Sequence, residues 1–142
     1  MVAAITASVA VAGMALAQTA AKPIMHSCFF NWADLKVVPT KQGERRTVFD
    51  SATPTLSKFE CHITTLNPGE SPHAPHHHPD EELLVVKEGT LAAMQNGQTN
   101  IVTTGGIIFD ASNETHGLQN VGTNQATYFV FRFAPHDLDL GK

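Results

Sequence analysis

Positive charge is scarce in this 142-residue chain, cysteines are few, and its C-terminal half has no long apolar segment of helical period. Nine Lys and Arg against thirteen Asp and Glu leave a formal charge of −4, with no basic run. The electrostatic footprint of a nucleic-acid binder is therefore missing. Two cysteines do not make a disulfide scaffold, and a single domain of this length buries a core without staples. Only 15% of residues are charged and 42% are hydrophobic, the balance of a globular, lightly charged protein. Without a 3.6-residue period the second half reads as strands.

The N-terminus lacks charge altogether, and no Lys or Arg precedes Lys22. Residues 1–17 are apolar and end in Ala15-Leu16-Ala17, a small-x-small cleavage pattern before Gln18, so they read as a secretory leader without the usual basic start. The stretch is too short and Ala-rich for a membrane span. The mature chain is then exported, periplasmic or extracellular, with no stable span. In that compartment Cys28 and Cys61 are free to pair, closing a loop worth about 3–4 kcal/mol in the chain-entropy account. The alternation of Phe59, Cys61 and Ile63 with Glu60, His62 and Thr64 supports a buried free thiol equally well.

Four of the eight histidines lie in Pro68-Gly69-Glu70-Ser71-Pro72-His73-Ala74-Pro75-His76-His77-His78-Pro79-Asp80-Glu81-Glu82. On an extended chain His76 and His78 share a face and His77 points away. Pro79-Asp80 is turn chemistry, so Glu81 or Glu82 can double back beside the two imidazoles. Two neutral nitrogens and a carboxylate suit a divalent transition metal. The alternative is a solvated His-rich loop.

Residues 18–55 read as an N-terminal arm with edge strands. Phe29-Phe30-Asn31-Trp32 is suited to packing on the body or on a second copy, and Lys41-Gln42-Gly43-Glu44 reads as a turn. Short strands follow from Leu56 onward. Leu83-Leu84-Val85-Val86 reads as a strand buried on both faces. Asn96-Gly97 is a hairpin signal, and Thr127 to Phe133 is an aromatic strand. This spacing predicts an all-β, antiparallel sandwich or barrel over residues 56–142.

In this context the chain resembles the cupin superfamily, in particular its small single-domain members. Gly69, His76-His77-His78, Glu82 and Gly89 fit the first motif of that family, with six residues rather than five after the first Gly. Gly105, Ala111, Asn113, His116 and Asn120 fall at the spacing of the second, with Ala111 in place of Pro and Asn113 in place of Gly. The resemblance implies a double-sheet antiparallel jelly-roll barrel with a short N-terminal arm. It also implies one divalent transition metal (iron, manganese, nickel, copper or zinc) held by His76, His78, Glu82 and His116.

Three functions are compatible with such a barrel: a metalloenzyme of dioxygenase, isomerase, decarboxylase or lyase type acting on a small organic molecule, a non-catalytic ligand- or metal-binding module, and a structural barrel. His73 and His77 are acid–base candidates near neutral pH. Arg132 is a candidate partner for a substrate carboxylate, with a surface or interface charge on a final strand as the commoner alternative. Asn120 is a candidate for orienting an imidazole. The strands suggest a mainly apolar cavity, with Met94, Gln95, Tyr128 and Arg132 as exceptions. A symmetric homodimer is the default assembly.

Overall fold

A computed structural model of the chain describes residues 23–137. The leader-like stretch 1–17 lies outside the described residues. Nine strands make two antiparallel sheets: β1 (Val38–Thr40), β2 (Gly43–Ser51), β3 (Leu56–Leu66), β4 (Glu81–Glu88), β5 (Thr90–Gln95), β6 (Gln98–Thr103), β7 (Ile107–Asp110), β8 (His116–Asn120) and β9 (Ala126–Pro135). The larger sheet has the order β1-β2-β3-β9-β4-β7, and the smaller β6-β5-β8. This is the all-β jelly roll expected, although hydrogen bonding does not close the two sheets into a continuous cylinder. Apart from the 3-10 turn Trp32–Asp34, no helix is present among the described residues, and none is long and apolar enough to cross a membrane.

Turn chemistry sets the register. Asn96 and Gly97 both have positive φ, 48° and 81°, which is the two-residue hairpin geometry that matches strand twist. At Gly89, with φ 95°, any side chain would drive a Cβ to 2.5 Å from the Ala126 Cβ. The β4–β5 turn therefore needs glycine there.

Leu66, Leu84, Val86, Leu91, Ala93, Ile108, Tyr128 and Val130 form the core between the sheets. The outer face of the large sheet is apolar too. Cross-strand pairing lines up Phe49, Cys61, Phe131, Leu83 and Phe109 in one row and Ile63, Phe129, Val85 and Ile107 in the next. The N-terminal segment covers part of this face. Phe30 packs at a tilt on Phe49 at 5.4 Å, and Trp32 meets Phe129 edge-on at 6.3 Å beneath Arg46 and Lys87. Leu83 and Val85 are consequently only half-buried, whereas Leu84 and Val86 are buried. The expectation of a strand buried on both faces is corrected, because among the described residues the arm covers only part of the sheet. Cys61 lies under this outer layer as a free thiol pushed up to about 12 by burial, and Cys28 is free and exposed.

Candidate metal centre

Backbone pairing delivers the histidines. The segment before β4 runs antiparallel to β8: Gly69 N–H donates to Asn120 O, Asn120 N–H to Glu70 O, and His76 and His116 exchange both backbone hydrogen bonds at 2.9–3.0 Å. The loop before β8 closes onto the same segment through Asn113 N–H to His78 O (2.8 Å) and Ser112 Oγ to Pro79 O (2.6 Å). Asn113 holds φ 60°, so it performs the left-handed turn that usually falls to glycine.

The imidazoles of His76, His78 and His116 converge with ring centroids 4.7–5.3 Å apart. They offer ligand nitrogens that all lie within 4.8 Å of one another. Glu82 points to the same place from the inner face of β4, whereas Glu81 sits in register with Phe133 on the outer face. Two of the three rings have their orientation fixed. His78 Nδ1 donates to Asp80 O at 2.8 Å and His116 Nδ1 to Glu114 O at 2.9 Å. A carbonyl can only accept, so the proton sits on Nδ1 and Nε2 is turned to the centre.

Those two Nε2 atoms, together with His76 Nδ1, are buried without a hydrogen-bond partner. Buried polar atoms are almost always satisfied, so three orphans facing one point fit a metal ion. Burial, and then His73, His116 and His78 nearby, lower His76 to about 4 and keep it neutral, as a ligand must be. His78 is shifted up by the Glu82 carboxylate, whose Oε2 lies 3.4 Å away, a charge contact rather than a formed hydrogen bond.

Beside the centre is an ion-pair knot. Asp80, 2% exposed, takes Lys58 Nζ at 2.8 Å, Arg132 Nη2 at 2.8 Å and Arg132 Nε at 2.7 Å. Burial raises its pKa, and the Arg132 and Lys58 hydrogen bonds overcome this and hold it at about 2. Arg132 lines the cavity, but Asp80 engages its guanidinium. Asn120 is fully buried and ties Leu66 O, Asn124 O and the Gly122 N–H, so it braces a loop instead of orienting an imidazole.

The centre opens into a cavity of about 310 Å³. It is lined by the apolar Leu66, Leu84, Ile108, Leu118 and Val130 and, from β2 and β3 and the turn before them, by the polar Gln42, Arg45, Glu60, His62 and Thr64. The mainly apolar cavity expected is corrected. The polar face of β3 turns inward because the outer layer claims Cys61 and Ile63. Met94 and Gln95 do not line the cavity, whereas Tyr128 and Arg132 do. His73 sits at the rim with its ring 4.2 Å from that of His76, while His77 is exposed and turned away from the cavity. His62 was not among the candidates read from the sequence. Its Nδ1 is 3.0 Å from Glu60 Oε1, and this hydrogen bond does most to bring Glu60 down to about 2.

A family model for the cupin domain matches residues 62–132. No curated protein sequence matches the chain significantly. Among solved structures, an RmlC-like cupin from Shewanella frigidimarina is similar with a TM-score of 0.64 and 14% identity, over 79% of this chain and 95% of that one. KdgF from a Halomonas species also gives 0.64, at 17% identity over 79% and 98%. The polyketide cyclase RemF from Streptomyces resistomycificus gives 0.62, at 19% identity over 82% and 87%.

Proposed function

This chain belongs to the cupin family, and from that premise we propose that it is an exported mononuclear metalloenzyme acting on a small organic molecule. The observation that carries the reading is the three orphaned imidazole nitrogens beside a cavity with a polar wall. His76, His78, Glu82 and His116 hold a divalent transition metal, which when bound polarises a carbonyl or hydroxyl of the substrate. The floor of Leu84, Ile108 and Val130 excludes water from one side of the ligand. His62, oriented by Glu60, exchanges a proton with the ligand from β3, two strands away from Glu82 in the same sheet. Glu60 also joins β2 and β3 through Arg45 at 3.0 Å, so what favours the enzyme over a passive binding barrel is His62, a titratable ring in the cavity beyond those needed for the metal.

Export rests on residues 1–17 alone. A homodimer is the assembly we favour, on the exposed apolar side chains Phe29, Ile107 and Phe109 beside the N-terminal arm.

One preparation tests the reading: protein recovered from its native compartment, with no affinity metal, analysed for mass and metal. We expect a chain starting at Gln18, a scattering mass of two chains, and one equivalent of transition metal that His78→Ala and Glu82→Ala lose while remaining folded. A protein that neither carries nor takes up metal overturns the centre. Residues 1–17 still attached overturn export, and a single-chain mass overturns the dimer.

A further inference from the structure

We propose that Asp110 is a further donor to the metal, so that the centre consists of three imidazoles and two carboxylates. The inference rests on the metal-centre reading above and extends it to a residue outside the four that the motifs supply. Asp110 falls within the five residues that the second motif leaves unspecified between Gly105 and Ala111.

Register is the first argument. Asp110 ends β7 directly opposite Glu82 of β4, so both carboxylates project to the inner face. Asp110 is 5% exposed, and a carboxylate oxygen of Asp110, one of Glu82 and a ring nitrogen of His116 lie within 4.8 Å of one another. His116 is itself 5% exposed with an orphaned Nε2, and it belongs both to this trio and to the imidazole trio.

Charge is the second argument. Among the described residues, Asp110 forms no ion pair with a Lys or Arg, unlike Asp80 and Glu60. Its hydrogen bond comes from a neutral amide, Gln95 Nε2 to Oδ1 at 2.6 Å, and the same Nε2 donates to Phe109 O at 2.6 Å. An amide orients a buried carboxylate without neutralising it. A divalent cation neutralises Asp110 and Glu82 together, and the Gln95 bond is the support that ligating carboxylates ordinarily have. Five protein donors leave one position on a six-coordinate ion, an arrangement suited to manganese, iron(II) or nickel and poorly suited to four-coordinate zinc.

The test uses the full chain stripped with chelator and titrated with Mn(II) and Co(II), as wild type, Asp110→Asn and Glu82→Gln. Asp110→Asn should raise the Mn(II) Kd about 10- to 100-fold, and the Co(II) absorption of the variant should shift and intensify as coordination falls. A carboxylate outside the coordination sphere also lowers affinity, so the deciding readout is geometric. In a crystal structure of the Mn(II)-loaded wild type, an Asp110 oxygen about 2.0–2.3 Å from the metal supports the proposal, and one beyond about 3.5 Å overturns it even where affinity has fallen. That measurement needs no folded variant. An unchanged Kd and Co(II) spectrum in a folded Asp110→Asn protein overturns the inference but leaves the four-residue centre intact. A wild type that takes up neither ion overturns both.

Discussion

Two groups of buried carboxylates lie side by side in this barrel and are treated in opposite ways. Asp80 is surrounded by countercharge, with Lys58 and both faces of the Arg132 fork within 2.8 Å. Glu82 and Asp110, on the neighbouring strands, have only the 3.4 Å contact to His78, an Arg132 Nε at 3.8 Å and the Gln95 amide. The first group finds its countercharge within the protein. The second has orphaned imidazoles beside it and, at Asp110, a carboxylate that no Lys or Arg among the described residues pairs. Proteins tolerate buried charge when it is paired, so the contrast separates a brace from a site. The two are also coupled, because the Asp80 carbonyl orients His78 while its side chain holds β3 and β9 together.

The largest effect that bears on this contrast is on stability without metal. Asp80→Ala leaves Lys58 and Arg132 without their buried partner and should cost about 3–5 kcal/mol. Against its burial, His78, His116 and Arg132 hold Glu82 below the ordinary carboxylate range, but at longer range than the Asp80 contacts, so Glu82→Gln should cost less, about 1 kcal/mol. Urea unfolding of both variants in chelator decides it. Equal losses would mean that Glu82 is as much a brace as Asp80, and the distinction fails.

That distinction was only half legible in the sequence. Spacing and resemblance picked out His76, His78, Glu82 and His116, because a motif keeps its ligands at fixed intervals along short strands. Asp80 read as a turn residue, and so it is. Its burial comes from Lys58 and Arg132, 22 and 52 positions away, and no local pattern reports such contacts. Arg132 read as a partner for a substrate carboxylate or a surface charge for the same reason. Asp110 and His62 depend on cross-strand register: Glu82 opposite Asp110, and His62 between Thr47 and Val130. The alternation along β3 correctly separated Cys61 from His62. It could not say that the apolar side faces the N-terminal arm and the polar side the cavity.

Adding the ion sharpens the contrast with a smaller effect. A ligand that binds only the folded state stabilises it by about 2.7 kcal/mol at a hundred times its Kd. Wild type should therefore gain that much in urea unfolding when Mn(II) is added at this excess. Glu82→Gln, less altered in chelator than Asp80→Ala, should gain far less at the same concentration. A full gain in Glu82→Gln would place the ion away from this cluster.

The smallest effect is one of sign, and pH brings it out. Asp80 is held at about 2, below its ordinary 3.8, so its stabilising contribution is complete above about pH 4 and is lost as pH falls through about 2. Asp110 is shifted the other way. Burial raises its pKa above 3.8, so at neutral pH its ionised form penalises the folded state, and acid relieves that penalty as pH falls through the raised value. In chelator, Asp80→Asn should be less stable than wild type at pH 7, and the gap should close toward pH 2. Asp110→Asn should be more stable than wild type at pH 7, and its advantage should fade at higher pH than the Asp80 gap does. Urea midpoints for the three proteins across the acid range give both differences. Opposite signs at pH 7 mean that this barrel spends its positive charge on Asp80 and leaves Asp110 for a cation from outside. Two gaps of the same sign would mean that Asp110 is balanced within the chain after all.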